Sequence, residues 1–138
     1  MGLKTRNTQI LDIPKIIDKE GRGNLSVIEE KCIPFNIGRV YYLYDVPSGA
    51  TRGGHAHKEQ SEVLIALSGS FDVVLEDGKN KDRVMLNQPS KGLLIPTMIW
   101  RELENFSSGA ICLVIASDIF KEEDYIRDYR QFMLSVRR

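Results

Sequence analysis

Short runs of apolar and β-branched residues, separated by turn residues, recur along most of this 138-residue chain. Runs such as VYYLY, VLIAL, FDVVLE and ICLVIA are bounded by glycine, proline, serine or aspartate. About eight to ten strands of this length and spacing are typical of an antiparallel sandwich or barrel. The Asp77-Gly78 pair between two such runs predicts a tight hairpin. The sequence therefore predicts an all-β fold.

The last stretch of the chain departs from this pattern. Residues 121–136, KEEDYIRDYRQFMLSV, carry their apolar groups at a helical spacing and acidic groups in the first turn. We therefore predict one C-terminal α-helix. The length of the chain fits one domain, over residues 1–138.

Charge and hydropathy exclude some classes of partner. The chain has 19 basic and 19 acidic residues, so bulk electrostatics do not direct it to nucleic acid or to an anionic membrane. No apolar run approaches the roughly eighteen residues that span a bilayer, and the first residues lack the apolar region of a secretory signal. The two cysteines, Cys32 and Cys112, have apolar neighbours and resemble buried, reduced thiols. We expect a cytoplasmic protein.

Both histidines of the chain lie close together, in the stretch Gly49 to Gly69. His55 and His57 are separated by one residue, so their side chains point the same way if the segment is a strand. Glu62 follows five residues after His57, where a turn can return its carboxylate to the imidazoles. We interpret these three residues as the centre of a site.

The spacing of this stretch resembles the first signature of the cupin superfamily, which are small jelly-roll barrels. The matching positions are Gly49, His55, His57, Glu62 and Gly69. In cupins the two histidines and the glutamate usually hold a metal, and a histidine of a second signature is the fourth ligand. The resemblance implies a small cupin jelly-roll barrel with one C-terminal α-helix.

Arg101 stands where the fourth cupin ligand belongs, counted from Pro96 to Asn105. Arginine has no free lone pair and a fixed positive charge, so it cannot bind a divalent cation and would repel one. We therefore expect no metal and no cofactor, and interpret His55 and His57 as acid–base groups. A His-His-Glu set alone can still hold zinc or iron. A metal-dependent cupin dioxygenase stays as an alternative, as does a non-catalytic sugar- or nucleotide-binding cupin.

Within the cupins the chain resembles a narrower family, the 3,4-ketoisomerases acting on dTDP-4-keto-6-deoxyglucose. The similar pieces include RVYY at 39–42, RGxHAHK at 52–58, ASD at 116–118 and DYIRxY at 124–129. The resemblance implies a metal-independent homodimer that moves the keto group from C4 to C3 through an enediol. Its product, dTDP-3-keto-6-deoxy-galactose or -glucose, leads to 3-amino-3,6-dideoxysugars of bacterial surface polysaccharide.

The resemblance also implies roles for the residues of the site. We expect His55 to take the carbon proton and His57 to shuttle a proton, with Glu62 orienting it, although the two histidines could exchange roles. A donor to the enediolate oxygen would come from Tyr42, Tyr41 or Arg101. Tyr41 and Tyr42 face opposite sides of a regular strand, so only one lines the pocket, and we favour Tyr42.

Arginines are the expected ligands of the substrate's diphosphate, since their planar donors fit phosphate oxygens. Arg52, in the glycine-rich approach to the histidines, is the first candidate, and Arg39 and Arg22 follow. Glu122, Glu123 and Arg127 are expected to be solvated or to pack against the barrel. Arg101 is a poor proton donor near C4, so we also expect it to influence which C4 epimer forms.

Overall fold

The computed structural model describes residues 2–29 and 31–137, and these contain twelve strands and one α-helix. The strands are β1 (Gln9–Asp12), β2 (Lys15–Ile17), β3 (Asn24–Ser26), β4 (Arg39–Leu43), β5 (Arg52–His57), β6 (Glu62–Ser68), β7 (Phe71–Glu76), β8 (Lys81–Leu86), β9 (Lys91–Ile95), β10 (Trp100–Glu104), β11 (Ile111–Ala116) and β12 (Tyr125–Ile126). The helix α1 spans Tyr129–Val136, and a single 3₁₀ turn spans Glu122–Asp124.

Ten of these strands form two antiparallel five-stranded sheets. The first sheet has the order β1-β9-β6-β11-β4, and the second has the order β12-β5-β10-β7-β8. Strands β2 and β3 pair only with each other, as a separate hairpin. The predicted all-β fold of a small cupin-like sandwich with a C-terminal helix is confirmed. The strand count exceeds the predicted eight to ten because several of the strands have only two to four residues.

The core lies between the two sheets because the strands alternate inward and outward side chains. In β7, Phe71, Val73 and Leu75 are buried, whereas the residues between them are only partly covered. Phe71 stacks on Phe106, with ring centroids 5.2 Å apart. The strands β7 and β8 form the hairpin that the Asp77-Gly78 pair predicts.

The C-terminal helix begins later than its sequence pattern indicates. Residues 121–128 form the 3₁₀ turn and β12, which pairs with β5 so that Tyr125 lies opposite His57. The backbone of this segment is used for sheet pairing and therefore cannot make helical hydrogen bonds. Asp128 caps α1, because its side chain accepts a hydrogen bond from the Gln131 amide at 3.0 Å. Among the described residues, no helix is long and apolar enough to cross a membrane.

Candidate active site

A cleft of about 400 Å³ opens between the two sheets. This volume lies within the roughly 300–1,000 Å³ of typical small-molecule sites. Both sheets supply its walls: β4 and β6 of the first sheet carry Arg39, Tyr41 and Glu62, and β5 and β10 of the second carry His55 and Arg101. Leu43, Leu64, Leu103 and Val114 add an apolar part to the wall. The cleft therefore combines an apolar surface with converging charged groups.

The two histidines lie side by side on β5, as their spacing predicts, but only His55 lines the cleft. The pairing of β5 with β10 shifts register between Arg101 and Glu102, opposite Gly53 and Gly54. These glycines have φ values of 90° and 60°, which side-chain-bearing residues rarely adopt. The rings of His55 and His57 meet edge to face, with centroids 4.9 Å apart. His57 is fully buried behind them.

His55 presents an unprotonated nitrogen. Its Nδ1 lies 3.0 Å from the Gly53 carbonyl oxygen, which can only accept, so Nδ1 carries the proton. Its buried Nε2 has no hydrogen-bond partner in the described part of the chain. Burial, followed by the positive charge of Arg101, lowers the pKa of His55 to about 3. The imidazole is therefore neutral near pH 7, with a lone pair on Nε2.

Glu62 and Arg101 form a buried ion pair on the cleft wall. Arg101 Nη1 donates to Glu62 Oε1 at 2.6 Å, and Arg101 also donates to the Ile99 carbonyl through Nε and Nη2. The second oxygen of Glu62 accepts from the Tyr41 hydroxyl at 2.7 Å. Burial opposes ionisation of Glu62, but close contact with His57 and the charge of Arg101 outweigh it and lower its pKa to about 2. Glu62 is therefore a fixed anion.

Asp124 is a site residue that sequence reasoning missed. Its Oδ2 lies 2.7 Å from His57 Nδ1, and both side chains are buried. His57 Nε2 lies 3.5 Å from Glu62 Oε2, so His57 is placed between two carboxylates. Asp124 belongs to the DYIR piece of the family resemblance, but nothing in its local sequence indicates a contact 67 residues away.

The expectation that Tyr42 lines the pocket is wrong, because Tyr41 does. Strand β4 alternates, so that Arg39, Tyr41 and Leu43 face the cleft. The Tyr42 side chain is 60% exposed on the outer face of the sheet. Burial and the neighbouring Glu62 raise the pKa of Tyr41, so its hydroxyl keeps its proton at neutral pH.

The predicted arginines divide into two groups. Arg39 and Arg52 line the cleft, and neither has a carboxylate partner within the described residues. Arg22 does not line the cleft: it lies in the turn of the β2–β3 hairpin, is exposed, and binds Asp18 at 2.9 Å. The expectation that Arg22 belongs to the pocket is therefore wrong for this chain's own cleft.

The DYIR segment adds two further residues to the cleft wall, Tyr125 and Arg127. Arg127 stacks over the Tyr125 ring at 4.1 Å and pairs with Glu122 at 2.8 Å. The Tyr125 hydroxyl accepts from Arg39 at 3.1 Å. Arg127 was expected only to be solvated or to pack, so its place at the cleft is a correction. β12 brings it there through its pairing with β5.

The cupin ligand set does not fit a divalent cation in this chain. Ligand atoms of His55, His57 and Glu62 lie within 4.8 Å of one another. However, both Glu62 oxygens are bound by Arg101 and Tyr41, and the guanidinium places a positive charge beside them. A cation would need to displace these bonds and approach a like charge. No step of the chemistry below uses a metal.

Comparison with known proteins gives a family and several relatives. The family model described as FdtA, WxcM-like, C-terminal, matches residues 6–137. The TDP-4-oxo-6-deoxy-alpha-D-glucose-3,4-oxoisomerase of Aneurinibacillus thermoaerophilus is 44% identical over 125 residues, which is 90% of this chain and 88% of that protein.

Solved structures agree with this match. The TDP-quinovose 3,4-ketoisomerase WlaRB of Campylobacter jejuni is 46% identical, with a TM-score of 0.87 over 94% of this chain and 98% of that chain. The sugar 3,4-ketoisomerase QdtA of Thermoanaerobacterium thermosaccharolyticum, solved in complex with TDP, is 39% identical. Its TM-score is 0.91, over 95% of each chain.

Proposed function

This chain belongs to the FdtA family of WxcM-like proteins, and from that membership and its cleft we infer that it is a TDP-sugar 3,4-ketoisomerase of deoxysugar biosynthesis. The substrate is dTDP-4-keto-6-deoxyglucose, and the product carries its ketone at C3. The observation that supports this most directly is the unprotonated Nε2 of His55 on the cleft wall. Isomerisation needs such a base and needs no oxidant.

The reaction begins at C3. His55 Nε2 takes the C3 proton, and the electron pair of that bond forms the C3–C4 double bond while charge builds on O4. The Arg101 guanidinium lies on the same wall and lowers the energy of that charge, as a preorganised cation does in a site that excludes water. The protonated His55 then gives its proton to O4, which completes the enediol.

The second half of the reaction moves the O3 proton to C4. Tyr41 faces His55 from the opposite sheet, and its raised pKa keeps its hydroxyl protonated. Tyr41 donates to C4 as the C3–O3 double bond forms, and it recovers a proton from the O3 hydroxyl. All atoms balance, because the C3 hydrogen ends on O4 and the O3 hydrogen ends on C4.

Two partners on opposite faces of the sugar ring favour the gluco product. The C4 hydrogen of a gluco product lies on the face opposite the C3 hydrogen that is removed, whereas one base that returns its own proton gives the galacto product. Arg101, at the fourth-ligand position, cannot deliver a proton. The 46% identical relative is named a TDP-quinovose isomerase, and quinovose is 6-deoxyglucose.

The nucleotide part of the substrate is held at the mouth of the cleft. Arg39 and Arg52 have no carboxylate partners among the described residues, so their charges are available to two phosphates. Tyr125 and Arg127 stand beside them. Within this region the guanidinium groups outnumber the single cleft carboxylate, Glu62, which suits a dianionic ligand.

The protein acts as a homodimer in the cytoplasm. The outer face of the first sheet exposes Tyr42, Tyr44 and Leu67 around a groove of about 570 Å³, and a second copy would bury this apolar patch. A nucleotide-linked substrate and two free cysteines, Cys32 and Cys112, fit a reducing compartment. The C3 ketone of the product is the functional group that an aminotransferase would convert to a 3-amino sugar.

The test is direct. Purified protein is incubated with dTDP-4-keto-6-deoxyglucose, and the sugar is followed by NMR. We expect the ketone to move from C4 to C3 with a gluco C4 centre. Unchanged substrate in the presence of folded protein would contradict the proposed activity, and a galacto product would contradict the role of Tyr41.

A further inference from the structure

The imidazole of His57 is held by a carboxylate that the proposed reaction does not use. Asp124 Oδ2 lies 2.7 Å from His57 Nδ1, and the two side chains are buried together. An ionised carboxylate can only accept a hydrogen bond, so Nδ1 carries the proton. This bond therefore sets the tautomer of the ring and its orientation.

The opposite nitrogen of the ring faces the ion pair on the cleft wall. His57 Nε2 lies 3.5 Å from Glu62 Oε2, the oxygen that also accepts from Tyr41. His57 is fully buried and does not line the cleft. It can therefore influence the reaction only through its neighbours, Glu62 and the ring of His55.

Asp124 is itself held rigidly. Its Oδ1 accepts from the Glu59 amide at 2.6 Å, and its carbonyl accepts from the Lys58 amide at 2.9 Å. The next residue, Tyr125, places its ring 4.4 Å from His57 and 4.9 Å from His55, measured between centroids. A carboxylate fixed by two backbone bonds gives the imidazole a fixed partner.

We propose that Asp124 is a positioning residue for the isomerisation: it holds His57 in the Nδ1–H form, keeps Nε2 against Glu62, and so aligns Tyr41 and Arg101 at the cleft. The kinetic consequences rest on the proposed function, whereas the state of the ring does not. Asp124, His57 and Glu62 form a continuous buried chain from the C-terminal segment to the reacting sugar.

The substitution Asp124→Asn separates positioning from tethering. The amide oxygen can still accept from the Glu59 amide, but its NH₂ now faces His57 Nδ1 and reverses the polarity of the contact. We expect kcat to fall by roughly 10²-fold or more, as expected for an imidazole forced into the wrong tautomer. KM should stay within about twofold, because Asp124 does not line the cleft. Asp128→Asn, four residues further on, is the matched control and should keep wild-type kcat.

The ring can also be observed directly. The chain has only two histidines, so the ring ¹⁵N signals of His57 can be assigned with the His55→Asn variant. We expect a protonated Nδ1 in the wild type and an unprotonated Nδ1 in Asp124→Asn. A wild-type His57 with an unprotonated Nδ1 would overturn the proposal without any Asp124 variant, even one that failed to fold.

A double substitution completes the test. If Asp124 acts through His57, then adding Asp124→Asn to a His57→Asn enzyme should cause no further loss of kcat. Independent, additive losses would overturn the proposal, as would wild-type kcat in Asp124→Asn. A wild type that shows the expected ring signals but does not isomerise the sugar would instead refute the proposed function alone.

Discussion

The ring of His55 has one nitrogen committed to a hydrogen bond and one nitrogen free. Nδ1 donates to the Gly53 carbonyl, and Nε2 faces the cleft without a partner in the described residues. Burial and Arg101 keep the ring neutral, and the Glu62 anion balances the Arg101 charge. The reaction thus depends on a neutral base beside a fixed cation.

The depressed pKa of His55 makes stability depend on pH. Below pH 6.5 the unfolded chain binds a proton that the native ring refuses until about pH 3, so this contribution to stability is present above pH 6.5 and is lost as the pH falls. The free energy of unfolding should decline by at most about 1.4 kcal/mol per pH unit from this group. Urea titrations from pH 7 to pH 4 should show a steeper decline for wild type than for His55→Asn. Equal slopes would contradict the assigned state of His55.

Arg101→His tests the control of stereochemistry. The change removes a charge that cannot release a proton and places a group that can donate one near C4. We expect part or all of the product to become the galacto epimer, with a lower rate because Glu62 loses its buried partner. NMR of the product measures the epimer ratio. Arg83→His, exposed on the other side of the second sheet, is the control, and an unaltered epimer and rate in Arg101→His would exclude the role.

The element that shapes the site most is the short segment of residues 122–128. Pairing of β12 with β5 places Tyr125 opposite His57, and the preceding 3₁₀ turn carries Asp124. The helix α1 then packs Phe132 against Trp100, with ring centroids 5.8 Å apart. The helix thus anchors the segment from which the cleft receives Tyr125 and Arg127.

Asp128→Ala tests that anchoring. The Asp128 side chain caps α1, and loss of a cap typically costs about 1 kcal/mol. We expect a loss of that size in the free energy of unfolding, measured with urea, and kcat close to wild type. A large fall in kcat with unchanged stability would show that the cap serves catalysis rather than the helix.

Strand periodicity explains what the sequence predicted at this scale. The His-x-His spacing, Glu62 and Arg101 lie on regular strands, so their convergence follows from fixed intervals. The choice between Tyr41 and Tyr42 depends on which face of β4 meets the second sheet, and alternation alone cannot decide it. The contact of Asp124 with His57 spans 67 positions and arises only from tertiary pairing.

At the scale of the whole molecule, two sheets share one core and leave their outer faces to solvent. The first sheet exposes apolar side chains there, Tyr42 and Tyr44, whose rings lie 5.8 Å apart. The proposed dimer covers this patch, which also explains why an aromatic residue that does not line the cleft stands beside Tyr41.

Tyr42→Glu tests this arrangement. A charge buried without a partner at an interface is costly, so we expect the variant to be monomeric at concentrations where wild type is dimeric. Sedimentation equilibrium measures the change. Met85→Glu, an exposed apolar residue of the second sheet, is the control and should stay dimeric. A monomeric wild type, or a dimeric Tyr42→Glu, would contradict the interface.

The central claim is that His55 removes the C3 proton without a metal, and the exchange of that hydrogen tests it most directly. The substrate is labelled with deuterium at C3 and incubated with enzyme and a chelator in ordinary water. We predict that wild type releases the deuterium at its full rate, that none of it appears at C4, and that His55→Asn releases none. Near-wild-type release by His55→Asn, or a loss of wild-type activity on chelation that one divalent ion restores, would contradict the account.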